Sequence, residues 1–323
     1  MTDIEKTPAI YCIGDVIVDF IPYGEAPDGT LLMAPMPGGA PANASVAAAK
    51  LGARASFIGK VGDDGFGRMM TGVIKGYGVD TTHMSMTRTA CTTMSFVTLT
   101  PDGDRSFTFA RKPGADMMLS EDDVPAGIFR AGDILHFGSS GLIPDSPVKK
   151  AHKKALTYAK AAGSLIYFDP NVRLPLWDDP GELKMTILEH LPFADIVKVS
   201  DDELDFIFDT TVEQTAADFC FGKGAAVVFV TRGKNGAAVY TPSSFTETGG
   251  ISVTAADTTG AGDAFNGAVM SRFIGSPFKE CLEPKNLTGT LRFANAAGAF
   301  TVTRKGAMAG SPAMEDVYSF LRD

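Results

Sequence analysis

The sequence predicts an α/β fold: a mainly parallel sheet covered by helices on both faces, with a small β-sheet lid. Three observations carry this reading. Apolar strand-like runs alternate with helical segments through the middle and end of the chain, the pattern of parallel strands joined by crossover helices. Two β-rich segments, residues 24–36 and 91–110, break that alternation. The second contains a Pro101-Asp102-Gly103-Asp104 turn between two β-rich runs, which signals a hairpin.

The elements follow in chain order. A first strand leads into the 24–36 segment. Thr92 to Leu99 and Phe107 to Phe109 flank the hairpin turn. Asp133 to Phe137 is a short apolar strand. Pro147 to Ala162 is a helix with Val148, Ala151, Ala155 and Ala159 on one face. Its lysines (149, 150, 153, 154 and 160) lie largely elsewhere, so this basic run is a solvated face rather than a ligand site. Gly163 ends the helix, and Ser164 to Phe168 is a buried strand. Ile196 to Val199 and Ala226 to Val230 repeat the strand pattern. No linker, low-complexity tract or repeat interrupts the chain. Residues 1–323 are therefore expected to form one domain, with lid segments at about 20–36 and 91–111.

A chain of 323 residues can bury a large core. The net charge of −9 argues against a nucleic-acid partner, which needs a basic footprint. Residues 1–6 lack the basic and then apolar run of a secretory signal, and no apolar stretch is long enough to span a bilayer. Cys12, Cys91, Cys220 and Cys281 are far apart and are expected to be buried, reduced thiols. The four histidines are equally scattered, so no zinc site is visible. A cytoplasmic setting is expected.

The most informative stretch is Asp257-Thr258-Thr259-Gly260-Ala261-Gly262-Asp263, followed by Ala264 to Ala268. It reads as a glycine turn opening into a helix, with an acid in the first turn. Free amides and the helix dipole there favour an anion, and Asp263 stands beside them as a base. That pairing suits phosphoryl transfer to a hydroxyl. A helix cap alone would explain Asp263, but not the two glycine steps and Asp257 upstream.

Other segments carry weaker signals. Gly38 and Gly39 precede Asn43 at the start of an alanine-rich helix; they read as a polar-ligand turn or equally as a turn with a helix cap. Asp169-Pro170-Asn171-Val172-Arg173 follows a strand, where ligands bind in such sheets, and Arg173 suits phosphate. Lys198 to Glu203 is again a strand followed by acids, which either satisfy the helix dipole or hold Mg²⁺ through water. Thr231 to Gly236 could receive adenine or ribose, or be a plain hairpin turn. No Gly-Lys pair is followed by Ser or Thr, so there is no P-loop.

Together these residues resemble the ribokinase/PfkB family of ATP-dependent sugar kinases. One signature is similar to Gly38 to Asn43 running through Phe57 to Gly67, and the other to Asp257 to Ala268. The resemblance covers nearly the whole chain and implies the ribokinase-like, Rossmann-like fold. Within the family, Gly14 to Phe20, Arg105 to Phe109, Arg111, Pro113 to Asp116 and Asp169 to Trp177 are most similar to the fructokinase branch. The resemblance implies transfer of the ATP γ-phosphoryl group to the 6-hydroxyl of D-fructose. It implies Asp263 as the base, with Gly260, Ala261 and Gly262 as the anion hole. It places Asp19, Gly38, Gly39, Asn43, Phe109 and Arg111 at the sugar. Asn171, Arg173, Thr231, Gly233, Gly236 and Asn295 would line the ATP site. Glu203 would hold Mg²⁺ through water, and Asp257, Thr259, Thr301 and Gly306 would surround K⁺. Many members have an Asn-x-x-Glu near the metal; here Ser200 takes the first position.

The same residues also fit a kinase of 2-keto-3-deoxygluconate or of a riboside. A catalytically silent sugar or nucleotide sensor is a different class; it would be favoured by loss of the base or the anion-hole glycines, and neither is lost. The apolar β surface of the lid suggests a homodimer.

Overall fold

The computed structural model describes residues 7–99 and 105–322. The first strand, β1 (Ile10–Ile13), is followed by β2 (Ile17–Glu25) and β3 (Leu31–Gly38), then helix α1 (Ala40–Lys50), β4 (Ala55–Gly62) and α2 (Gly65–Gly76). Next come β5 (Met84–Thr87), β6 (Met94–Leu99), β7 (Arg105–Ala110), β8 (Ile134–Phe137), α3 (Pro147–Ala162), β9 (Leu165–Phe168) and α4 (Pro180–His190). The chain continues through β10 (Ile196–Ser200), α5 (Asp201–Phe208), α6 (Glu213–Gly222), β11 (Val227–Thr231), β12 (Ala237–Thr241) and β13 (Ser244–Thr248). Helices α7 (Ala261–Phe273), α8 (Phe278–Cys281), α9 (Pro284–Val302), α10 (Ala307–Gly310) and α11 (Met314–Phe320) close it.

A nine-stranded sheet runs β13-β12-β11-β10-β9-β8-β1-β4-β5. Every neighbouring pair is parallel except β11–β12 and β12–β13, which extend one edge antiparallel. Alternate residues of β1 enter opposite cores, Ile10 and Cys12 on the side of α1, α7 and α9, Tyr11 and Ile13 on the side of α3 and α4. Burial on both faces is why the central strands read as continuous apolar runs. Helix α3 spans the expected residues: Pro147 opens it and Gly163, at φ 80°, ends it in the left-handed conformation.

The lid is a four-stranded sheet in the order β3-β2-β6-β7. Strands β6 and β7 pair antiparallel, as a hairpin requires; the expected turn residues 101–104 lie outside the described residues. The lid begins earlier and ends later than the sequence suggests. Strand β2 starts at Ile17 and β3 runs to Gly38, so Asp19 belongs to the lid and the lid leads directly into the glycines before α1. Cys91 is a correction: it is exposed in the loop before β6, whereas the other three cysteines are buried.

Candidate active site

The ends of β1, β8, β9, β10 and β11 point the same way, and the polar loops that follow them gather at one edge of the sheet. Helix α7 begins there. Gly260 is its N-cap at φ 84° and no side chain caps the helix, so its first amides are free for an anion. A Cβ on Gly260 would overlap Ala307, with the Ala307 Cα at 2.7 Å. Only glycine lets the turn pass this close to α10.

Asp263 is buried in the first turn of α7. Asn43 of α1 donates its Nδ2 to Asp263 Oδ2 at 2.8 Å, and Asn43 Oδ1 is buried without a protein partner among the described residues. The sequence reading places Asn43 at the sugar; in the structure its amide is engaged with the Asp263 carboxyl. Burial pushes the Asp263 carboxyl up to about 6, Asp169 adds to the rise, and the Asn43 amide, Arg173 and Lys198 oppose it. The group is therefore mostly ionised near pH 7 yet basic enough to take a proton.

The lid sets a second carboxylate against this site. Register aligns Asp19 of β2 with Ser95 of β6, and Ser95 with Phe109 of β7. Ser95 Oγ donates to Asp19 Oδ1. Burial raises the Asp19 carboxyl, Ser95 opposes the rise, Asp15 adds to it and Arg173 opposes it. A Cβ on Gly38 would overlap Asp19 Oδ2, so glycine is needed where β3 meets α1. Gly39 follows as the N-cap of α1.

Arg111 is buried and paired with Asp116, its Nε donating to Asp116 Oδ2 at 2.7 Å. Its Nη2 donates to the Ser140 carbonyl at 2.8 Å, while Nη1 is buried without a partner among the described residues. Ser140 Oγ in turn donates to Asp15 Oδ1. Asp15, Ser95, Asp116 and Ser140 are polar groups that the sequence reading did not select. They were legible only as parts of segments named for other residues, such as Gly14-Asp15.

The expected nucleotide residues fall on the loops after β9 and β11, at the end of β11 and, for Asn295, within α9. Asn171, at φ 44°, and exposed Arg173 follow β9. Thr231 ends β11 opposite Ser200 of β10, and Gly233 lies in the turn beyond. Gly236 packs against the Thr248 carbonyl, and Asn295 Nδ2 donates to Thr248 Oγ1 at 2.6 Å. A cleft of about 360 Å³ opens there between Thr248, Ile251, Arg292 and Asn295. Arg173 also acts electrostatically on Asp263 and Asp19, opposing the rise of both carboxyls.

The Glu203 carboxylate is held by two backbone amides. Its Oε1 accepts from Val172 N at 2.6 Å and its Oε2 from Ser200 N at 2.8 Å. It straps the 169–173 loop to the start of α5, with Ser200 as the N-cap. Among the described residues no group of three or more His, Cys, Asp or Glu could hold a metal ion. Asp257 also straps two loops: Oδ1 accepts from Thr259 N at 2.9 Å and Oδ2 from Gly306 N at 3.1 Å. Ala256 N and Asp257 N both donate to the Val302 carbonyl. Thr301 is buried, its hydroxyl donating to the Ala297 carbonyl at 2.8 Å. The loops before α7 and after α9 are thus tied together through the Asp257 carboxylate and the Val302 carbonyl.

Residues 8–314 match the pfkB family of carbohydrate kinases. The chain belongs to that family. This kinase is 39% identical over 316 residues to a probable fructokinase of Arabidopsis thaliana, covering 97% of this chain and 95% of that one. Its fold is similar to a double-mutant fructokinase of Vibrio cholerae O395 solved with fructose, ADP and potassium ion (TM-score 0.88, 35% identity, 98% of each chain). It is also similar to a fructokinase of Xylella fastidiosa with bound ATP (TM-score 0.90, 31% identity, 97% and 98% covered). No helix among the described residues is long and apolar enough to cross a membrane.

Proposed function

We propose that this kinase transfers the γ-phosphoryl group of ATP to the 6-hydroxyl of D-fructose, with Asp263 as the general base. The observation that carries this reading is a buried carboxylate of raised pKa in the first turn of a helix whose leading amides have no side-chain cap. The names of the relatives above supply the sugar. In the reaction the sugar oxygen forms a bond to the γ-phosphorus while the bond from that phosphorus to the β–γ bridging oxygen breaks. The hydroxyl proton passes to an Asp263 carboxylate oxygen. Charge gathers on the transferred oxygens, where the amides of Gly260, Ala261 and Gly262 stabilise it.

Asp19, Gly38, Gly39, Phe109 and Arg111 orient the sugar, and Asn43 orients the base. Asn171, Arg173, Thr231, Gly233, Gly236 and Asn295 hold the nucleotide. Glu203 would hold Mg²⁺ through water, and the ion would offset phosphate charge. Asp257, Thr259, Thr301 and Gly306 would hold K⁺, which would stiffen the anion hole. Replacing K⁺ by tetramethylammonium is expected to lower turnover, and an unchanged rate would count against that site.

A panel of fructose, 2-keto-3-deoxygluconate and ribosides, each assayed with ATP for phosphorylated product, tests the proposal. The expected result is the highest kcat/KM for fructose. Preference for a riboside or the keto-deoxy acid would reassign the substrate, and no product from any sugar would favour a silent sensor.

A further inference from the structure

Beneath the first turn of α7 lies a buried cation. Lys198 projects from β10, and its side chain is 8% exposed. A Cβ built on Gly262 would sit 3.5 Å from Lys198 Nζ, so the ammonium stands beside the anion-hole amides. Lys198 Nζ donates to Asp169 Oδ2, at a long 3.3 Å. That oxygen is already occupied by Asn266 Nδ2 at 2.6 Å, and Asp169 Oδ1 accepts from Asn171 N at 3.1 Å. Asn266 is fixed in turn by the Tyr167 hydroxyl at 2.9 Å. A buried charge with one stretched partner is poorly compensated as a structural ion pair. It is well placed for an anion that arrives with substrate.

We infer that Lys198 is a further catalytic residue, whose ammonium neutralises the transferred phosphoryl group from beside the first turn of α7. The inference rests on the phosphoryl-transfer reading above and extends it. Lys198 keeps its protons throughout; its contribution is charge placed where charge develops. Burial lowers the ammonium pKa, but Asp169, Glu203 and Asp263 outweigh burial and hold it above its ordinary value. It is therefore charged at neutral pH. Of the other titratable side chains facing this network, His136 is pushed by burial to about 4 and stays neutral, and burial and Asp169 keep the Tyr167 hydroxyl protonated.

Lys198 also acts on the base. The groups facing Asp263 are Asn43 from α1, Asp169 and Arg173 from the loop after β9, Lys198 from β10, and the Cys12 thiol of β1, which burial keeps protonated. Removing the Lys198 charge takes away a force that holds Asp263 ionised, so the acid limb of kcat/KM moves to higher pH.

The test compares full-length parent, Lys198→Met, Lys198→Arg and the double variant Lys198→Met with Asp169→Asn, each checked for folding by melting. The double variant removes both members of the buried pair, so it folds even if the single one does not. The expected result is a kcat loss of about 10²–10³-fold in the Met single and double variants, with sugar KM kept, the acid limb raised in the single variant but not in the double one, where the opposing Asp169 charge is also gone, and part of kcat restored by Arg. Near-parent kcat in the folded double variant would overturn the inference, because it would show that Lys198 only balances Asp169. If the parent ignores fructose but turns over another sugar, the fructose reading alone fails and the comparison runs on that sugar. A parent inactive on every sugar would overturn both.

Discussion

Asp263 meets two opposed demands, and its surroundings set the compromise. Burial raises its pKa, while the Asn43 amide, Arg173 and Lys198 limit the rise to about 6. The free enzyme should therefore show an acid limb in kcat/KM near pH 6. Asn43→Ala removes a donor to the carboxylate, so its limb should lie at higher pH than the parent's; an unmoved limb would separate Asn43 from the base. The same shift has a stability consequence. Between the unfolded value near 3.8 and about 6, the folded chain retains a proton that the unfolded chain releases. Stability from this group is thus present at low pH and falls as pH rises through that window. Asp263→Asn lacks the ionised group and should melt above the parent at pH 7, by on the order of 1–3 kcal/mol, with the gap closing below pH 4. Calorimetry across that range checks the sign.

At the scale of elements, the turn into α7 is the joint on which the site depends. Gly260→Ala would place a side chain at φ 84° and against Ala307. It should cost about 1–3 kcal/mol of stability and lower kcat more than it raises sugar KM, because the displaced amides face the phosphate. A variant with normal kcat and only a lower melting point would make the turn purely structural. The turn was readable in the sequence because its glycines and acids are contiguous. Helix α3 was readable because Pro147 and Gly163 mark its ends. The lid strand β2 was harder to delimit, because its outer half is exposed and carries no strong alternation. Lys198 left a faint signal, a single charge inside the apolar run Ile196-Val197-Lys198-Val199. Its partner Asp169 lies 29 residues away, and Asn266, which donates to the same Asp169 oxygen, lies 97 residues from Asp169; only the folded sheet brings them together. The strap formed by Glu203 was hidden for the same reason, since Val172 is 31 residues away.

Taken whole, the molecule sets a four-stranded lid beside the edge of the nine-stranded sheet where the candidate site residues gather. The lid exposes Tyr23, Leu31 and Leu32, at 76%, 52% and 43%, an apolar surface that a second copy could cover. We expect a homodimer through the lid; Leu31→Glu with Leu32→Glu should shift sedimentation toward the monomer, and a parent that sediments as a monomer at all concentrations would contradict the assembly. The central claim is that Asp263, at the start of α7, takes the proton during phosphoryl transfer. Its most direct test is the rate of fructose 6-phosphate formation by parent and Asp263→Asn, both shown to be folded, at saturating ATP and fructose. The account expects the variant to lose about 10²–10⁴-fold in kcat, with much of its sugar binding retained through Asp19 and Gly38. A folded Asp263→Asn enzyme with near-parent kcat would contradict it.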